Sequence, residues 1–201
     1  MATDPATAKV FCRFDYLHVH TPFEGELNKG KPKFKVTCII DPKDPRGKAS
    51  LAAVNAATKH VGTEAFGTWP LTWKDPKRYC VSDGNTHTYV DKASQEEVVK
   101  AAYANMKVVT ASNKNRPICV GPDGRTPLVA EDGEPISGDY GWVVVRFYAT
   151  KDAAQGGKGL FAGFEAIQKI KDGEPLGGGG SRVKAEEVFT DESGGDGDDE
   201  P

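Results

Sequence analysis

The chain has 201 residues, 38% of them hydrophobic, with 26 lysines and arginines against 29 aspartates and glutamates and a formal net charge of −3. That size suits one domain with a sizeable core, and no apolar run is long enough to span a bilayer. The opening Met1-Ala2-Thr3-Asp4-Pro5 lacks the basic-then-apolar order of a signal peptide, so a soluble intracellular protein is expected. Cys12, Cys38, Cys80 and Cys119 are far apart with no C-x-x-C pair, and they read as small core residues and free thiols in a reducing compartment.

Over residues 9–20 the side chains alternate, with Val10, Cys12, Phe14 and Tyr16 on one face and Arg13 and Asp15 on the other, which predicts a half-buried strand. A second strand follows over residues 33–40: Phe34, Val36, Cys38 and Ile40 face inward and Lys33, Lys35 and Thr37 outward. Asp41-Pro42 and Asp44-Pro45 stop it. Leu51, Val54, Thr58 and Val61 then share a helical stripe over residues 50–61. Residues 62–85 have no clear period. Ser94 and Glu97 have the spacing of a capping box, which predicts a short helix over residues 94–106. Strands are expected over 107–112 and 117–120, then a turn at Gly121-Pro122-Asp123-Gly124 and an acidic loop over 129–139.

Two further strands complete the body. Residues 141–150 send Val143, Val145, Phe147 and Ala149 inward and leave Trp142, Arg146 and Tyr148 outward. Residues 160–170 send Leu160, Ala162, Phe164, Ala166 and Ile170 inward and leave Phe161, Glu165 and Lys169 outward. The small-residue stretch 153–159 between them suits a hairpin. About five main strands, with helices inserted rather than alternating, argue for a mainly β fold: a small antiparallel barrel and not a parallel sheet.

The near-neutral total hides an asymmetry. The last seventeen residues carry eight acidic side chains and no lysine or arginine, and they follow the run Gly177-Gly178-Gly179-Gly180-Ser181. Taking those eight from 29 leaves 21 acids against 26 bases, a body of about +5 joined to a tail of −8. Such a tail either solubilises its domain or competes with a polyanion for the basic body.

Binding a nucleic acid without strong sequence choice takes cations that track phosphates and flat side chains on which bases stack. Trp142, Arg146 and Tyr148 offer both on one outward face, unless a second layer or a partner covers it. The stretch 69–79 interleaves Trp69, Trp73 and Tyr79 with Lys74, Lys77 and Arg78, in the manner of a loop that wraps a single strand. Its tryptophans would equally well cap the barrel. Lys29, Lys31, Lys33 and Lys35 form a third cationic patch, suited to steering a polyanion or simply to solvating an edge. Enzyme signals are poor. His18 and His20 share a strand face and could begin a metal site, but no cysteine or carboxylate stands at metal-ligand spacing, and no phosphate loop or nucleophile elbow is present.

One resemblance gathers these features. The segments Ser137-Gly138-Asp139-Tyr140-Gly141-Trp142, Arg146-Phe147-Tyr148, Lys158-Gly159-Leu160, Ala166-Ile167-Gln168-Lys169 and Asp172-Gly173-Glu174-Pro175-Leu176-Gly177-Gly178 are together similar to the C-terminal half of the tailed-phage single-stranded DNA-binding protein family, once catalogued as a domain of unknown function. Residues 34–42 resemble that family's second strand. The resemblance implies an OB-fold domain over residues 1–176 and a flexible glycine-rich linker with an acidic tail over 177–201. It implies a protein that coats single-stranded DNA during replication, recombination or repair in the cytoplasm of an infected bacterium, with no cofactor, no bound metal, no catalysis and no membrane partner. Arg13, Lys33, Lys35, Lys77, Arg78, Tyr79, Trp142, Arg146, Tyr148, Phe161 and Lys169 become the candidate DNA contacts. Duplex DNA stays open as a second ligand, because phosphate contacts do not exclude it. Phage or host replication proteins are the partners such a tail would recruit. This tail ends in Asp199-Glu200-Pro201, without the terminal aromatic or apolar tripeptide of better-known tails, and its apolar pair Val188-Phe189 lies well inside it. Self-competition is therefore expected ahead of partner recruitment. The rival readings are a protein-interaction module using the outer aromatic face and a metal-dependent hydrolase built on His18 and His20.

Overall fold

The computed structural model describes residues 4–26, 29–71, 78–151 and 157–176. In chain order the elements are β1 (Thr7–Phe23), β2 (Lys33–Ile40), α1 (Pro45–Phe66), β3 (Val81–Asp83), β4 (Thr88–Val90), β5 (Glu97–Val99), β6 (Lys107–Asn113), β7 (Ile118–Val120), β8 (Tyr140–Thr150) and β9 (Gly159–Lys171). One sheet runs β3-β6-β2-β1-β8-β9-β7, antiparallel throughout except where β7 lies parallel to β9; β4 and β5 form a separate hairpin.

The sheet curls until β6 approaches β9, and a single residue joins them. The Cys80 amide donates to Leu160 O at 2.9 Å, and the Thr110 amide donates to Cys80 O at 2.9 Å. The five long strands thus close in the cyclic order β1-β2-β6-β9-β8, which is the OB-fold barrel. Its interior holds Val10, Phe14, Val36, Ile40, Val109, Val143, Val145, Phe147 and Phe164, all nearly or fully inaccessible. Cys12, Cys38, Cys80 and Cys119 are buried free thiols, as expected. Burial, with a hydrogen bond to Cys38, holds Cys12 well above the ordinary thiol range, and burial pushes Cys80 up to about 12, so both behave as apolar packing.

α1 is longer than its apolar stripe alone predicts. The Asp44 side chain caps it by accepting the amides of Arg46 and Gly47 at 2.7 and 3.3 Å, Pro45 stands in the first turn, and Gly67 ends it in the left-handed conformation. The Asp-Pro pair that stops β2 is thus also the start of the helix. Val54, Ala57, Thr58 and Val61 plug one end of the barrel, and Ser50 Oγ accepts the Phe11 amide at 2.8 Å, docking the helix on β1.

Three expectations are corrected, each by a local backbone device. The capping box at Ser94 caps nothing: Asp91 accepts the amides of Ala93 and Ser94, Gln95 takes a positive φ of 59°, and the chain turns back as the β4–β5 hairpin. Tyr16 is not inward. Asp15 pairs with Thr37 and His18 with Lys35, so Tyr16 and Leu17 oppose the single Val36, and this bulge turns the tyrosine ring out. In β9, Val145 pairs with Phe164 and Val144 with Ala166, leaving Glu165 as an extra residue. Because side chains alternate with period two, that insertion exchanges the faces beyond it, burying Ile167 and Lys169.

Lys169 therefore does not face solvent. Its ammonium meets Glu134, Asp172 at 2.7 Å and the fully buried Asp139 at 3.6 Å. Burial alone lowers its pKa, but hydrogen bonds to Asp172 and Glu134 outweigh that and hold it above its ordinary value. Asp139 also accepts the amides of Ile136 and Gly173. Removing the ammonium strands a buried carboxylate, so Lys169→Met should lower unfolding free energy in equilibrium denaturation by about 3–5 kcal/mol; a loss below about 1 kcal/mol would show the cluster to be solvated.

Candidate nucleic-acid interface

β6 alternates buried Val109 and Ala111 with outward Thr110 and Ser112, and these two hydroxyls floor a cleft of about 620 Å³. One wall is Tyr148 from β8 and Phe161 from β9, cross-strand partners whose ring centroids lie 5.8 Å apart at 32°. The other wall is Ser82 and His87, joined by a 2.9 Å hydrogen bond. A second cleft of about 610 Å³ continues from the first and shares Lys33, Ser112 and Tyr148 with it. It adds Lys114 and Arg146, with Glu64 and Glu165 at its edge.

The cleft exists because β6 and β9 do not pair directly along their length. After the Cys80 bridge, their next link is the Asn113 side-chain amide donating to Phe164 O at 3.3 Å. Between those points the outer surface is open, and its rings stay exposed enough to receive a planar ligand; Tyr148 is 45% accessible.

Of the sequence-derived candidates, the structure gathers seven around the clefts or their rim. Lys33 lines both. Lys35 stands opposite Ser112, its Nζ 5.2 Å from the Tyr16 ring centroid and 5.7 Å from that of Phe23. Arg78 lies 5.3 Å from the Phe161 ring and donates to Lys158 O, Gly157 O and Thr150 Oγ1, so it fixes that ring and the end of the β8–β9 loop together. Tyr79 lines the first cleft, but its half-buried phenol is hydrogen-bonded to Thr58; burial raises its pKa and that bond opposes the rise. Arg146 lines the second cleft and pairs with Asp4 at 3.1 Å on the surface, a contact that costs little to exchange. Tyr148 and Phe161 complete the stacking wall.

Three candidates lie elsewhere. Trp142 is six residues from Tyr148 on β8, about 20 Å at the usual rise. It packs edge-on against Phe11 at 5.2 Å, with Lys9 Nζ 4.8 Å from its ring, so the outward triplet is divided between two places. The Arg13 guanidinium donates to Gly138 O and Glu174 O and stacks on Tyr140, clamping the segment that leaves β9. Lys169 is enclosed by carboxylates as described. Lys77 and Trp73 lie outside the described residues, as does the tail, while Trp69 packs against Gly62 of α1 and the core. Thr110 and Ser112 were missed by the sequence reading, although alternation in β6 is a signal that could have found them, whereas His87, Ser82 and Thr86 carried no sequence signal. His20 bonds Glu134 O and Arg116, and no group of three histidines, cysteines or carboxylates converges among the described residues.

Comparison with known proteins gives the chain's family and bears on its fold. Residues 6–200 match the family described as Enterobacter phage Enc34, ssDNA-binding protein. The chain belongs to that family. Protein p50 of Acyrthosiphon pisum secondary endosymbiont phage 1 is 30% identical over 170 residues, 81% of each chain. Among solved structures, the single-stranded DNA-binding protein of bacteriophage Enc34 in complex with ssDNA aligns with a TM-score of 0.67 at 21% identity, over 86% of this chain and 90% of that one. The single-stranded DNA-binding protein gp2.5 of bacteriophage T7 aligns with a TM-score of 0.51 at 13% identity, over 86% and 90%. At those identities the structures bear on the fold, and they bear out the OB-fold reading.

In this member of the Enc34 family, His87 of the first cleft and His18 on β1 are both shifted toward their neutral forms. Burial, then the nearby Lys100 ammonium, lowers the pKa of His87 against an opposing pull from Asp15, and burial and Lys35 lower that of His18. Each ring is easier to protonate in the unfolded chain, at about 6.5. The stability that depends on their neutral forms is therefore complete above about pH 6.5 and is lost as pH falls through the lowered folded values. Melting temperature should drop between pH 7 and pH 5, with a shallower drop in His87→Gln; an equal slope in the variant would remove His87 from that account.

Proposed function

We propose that this protein coats single-stranded DNA in the cytoplasm of a phage-infected bacterium, during replication, recombination or repair. It acts without catalysis, by phosphate neutralisation and base stacking with little sequence preference. One observation carries the reading: two continuous clefts on the OB-fold face of a member of this family place the Tyr148–Phe161 wall among Lys33, Lys35, Arg78 and Arg146. The surface formed by strands 2 and 3 of an OB-fold, flanked by the loops after strands 1 and 4, is where such barrels take oligonucleotides; here those strands are β2 and β6. Rings supply stacking that every base satisfies, and the cations track the backbone. Hydroxyls on the floor give polar contacts without a fixed base-edge code. Trp142 beneath Lys9 is a further candidate contact outside the clefts.

Titrating binding with salt tests this on single-stranded DNA, duplex DNA and RNA in parallel. Log affinity for the single strand should fall linearly with log salt, with a slope of about −0.7 per phosphate neutralised. Tyr148→Ala should weaken binding by about 1–3 kcal/mol at unchanged fold stability, one stacked base's worth. A salt-independent curve, or wild-type affinity in Tyr148→Ala, would sink the reading.

The tail, residues 177–201, is the second part of the proposal. The eight acids of its last seventeen residues, on a glycine-rich tether, compete with DNA at high effective concentration for residues 1–184, a body of about +5. A chain ending at Gly180 should bind single-stranded DNA more tightly than the full chain, most of all at low salt, where charges are least screened. Equal affinity at low salt would reduce the tail to a solubilising end.

A further inference from the structure

Tyr16 is the described residue whose conformation and surroundings least resemble packing. Its φ of 46° lies in the left-handed region, which a side chain bearing Cβ disfavours. The bulge that imposes this is held in place: the Tyr16 amide donates to Asp15 Oδ1 at 2.7 Å, the Leu17 amide donates to Ser137 Oγ at 3.0 Å, and the second Asp15 oxygen accepts the Tyr103 hydroxyl at 2.5 Å. Strain kept by so many fixed partners is a mark of a functional position. What the bulge achieves is to present an aromatic ring, 45% exposed, where regular alternation would have buried it.

The ring is presented between two cations. Lys35 Nζ lies 5.2 Å from its centroid, and Lys100 Nζ lies 5.0 Å from the centroid while donating to the hydroxyl at 2.6 Å. Among the described residues neither ammonium forms an ion pair with a carboxylate. A cavity of about 680 Å³ opens beside the ring, bounded by Tyr89, Lys100, Tyr103 and Leu176. The ring also lies in line with the clefts. Phe161 is on β9, Ser112 on β6, Lys35 directly opposite Ser112 on β2, and Tyr16 on β1 beside Lys35. Two ladder spacings, about 10 Å, carry the path from β6 to β1, beyond the gap between β9 and β6.

We infer that Tyr16 is a further base-stacking position for single-stranded nucleic acid, whose path leaves the Tyr148–Phe161 cleft, crosses β6 and β2, and ends on the β1 bulge. This rests on the single-strand binding proposed above and extends its track to a strand outside the clefts. Lys35 and Lys100 take the phosphates on either side of the stacked base, and the cavity beside the ring receives the base.

The test uses the full chain, oligothymidylates of graded length, and the variants Tyr16→Gly, Tyr16→Phe and Tyr148→Ala. Glycine accepts the left-handed backbone, so Tyr16→Gly removes the ring and relieves the strain together. It should melt at or above the wild-type temperature and bind short oligomers, which fill only the cleft, like wild type. Long oligomers should bind about five- to hundredfold more weakly, the factor that one lost base stack implies. Tyr16→Phe should restore most of that loss, and Tyr148→Ala should weaken oligomers of every length. Wild-type affinity of Tyr16→Gly for long oligomers overturns the inference, as does an equal loss at all lengths with a lowered melting temperature, which makes the ring a structural prop. If Tyr148→Ala weakens binding while Tyr16→Gly does not, only the inference falls. If wild type binds none of the oligomers, the functional reading falls with it.

Discussion

Two backbone hydrogen bonds at one residue determine both the closure of this barrel and the place of its outer cleft. β6 and β9 run side by side without a ladder, and Cys80 joins them, donating to Leu160 O and accepting from the Thr110 amide. A full ladder would have sealed the barrel there and brought the outer faces of β6 and β9 into one continuous pleat. A bridge one residue long leaves the strands to diverge. The gap between the bridge and Asn113 is where Thr110 and Ser112 face Tyr148 and Phe161. Cys80 is itself buried, with a thiol that does not ionise near neutral pH.

The same economy governs the end of the domain. The extra residue Glu165 turns Lys169 inward, and the carboxylates that enclose it come from the acidic stretch before β8 and the segment after β9. Arg13 then clamps Gly138 O and Glu174 O, and the Leu176 amide donates to Ser137 O. Gly138 has a φ of 116°, and a Cβ there would lie 2.1 Å from Glu174 O, so only glycine permits the approach. The position from which the acidic tail departs is therefore fixed on the barrel beside β1.

How far the sequence could be read depends on whether a feature is local. Val10, Cys12 and Phe14, or Val143, Val145 and Phe147, announce their strands because alternation is a property of adjacent residues, and from five such strands the barrel follows. The helix cap at Asp44 is equally local, although it looks like a strand stop until its amide bonds are seen. The parity errors at Tyr16 and Lys169 have one cause: a bulge is set by how many residues the partner strand offers, which no window of one strand contains. Residues 62–85 were opaque for a related reason, since Cys80 takes its role from two strands far from it in sequence. The aromatic wall at Tyr148 and Phe161 was legible as exposed rings on outward faces. The division of Trp142 from that wall was not, because sharing a face does not fix separation along it.

The electrostatics of the outer surface favour a polyanion in a way that charge counting does not capture. Lysines 9, 35 and 100 lie over aromatic rings, as does Arg78 over Phe161, while the close ion pair in the buried cluster belongs to Lys169. A carboxylate partner would cancel a cation's field and would have to be displaced before a phosphate could bind. A ring face attracts the cation by its quadrupole alone, so the full positive charge stays available to a ligand. The same contact restrains the ring, reducing the side-chain entropy lost when a base stacks on it. Each cation–ring pair thus has the two parts that the proposed binding needs, a charge for phosphate and a ring face for a base. Lys35 and Lys100 lie against Tyr16 on β1, and Arg78 lies against Phe161 on β9. Asp139, by contrast, is buried with Lys169 on the inner side, away from these cations.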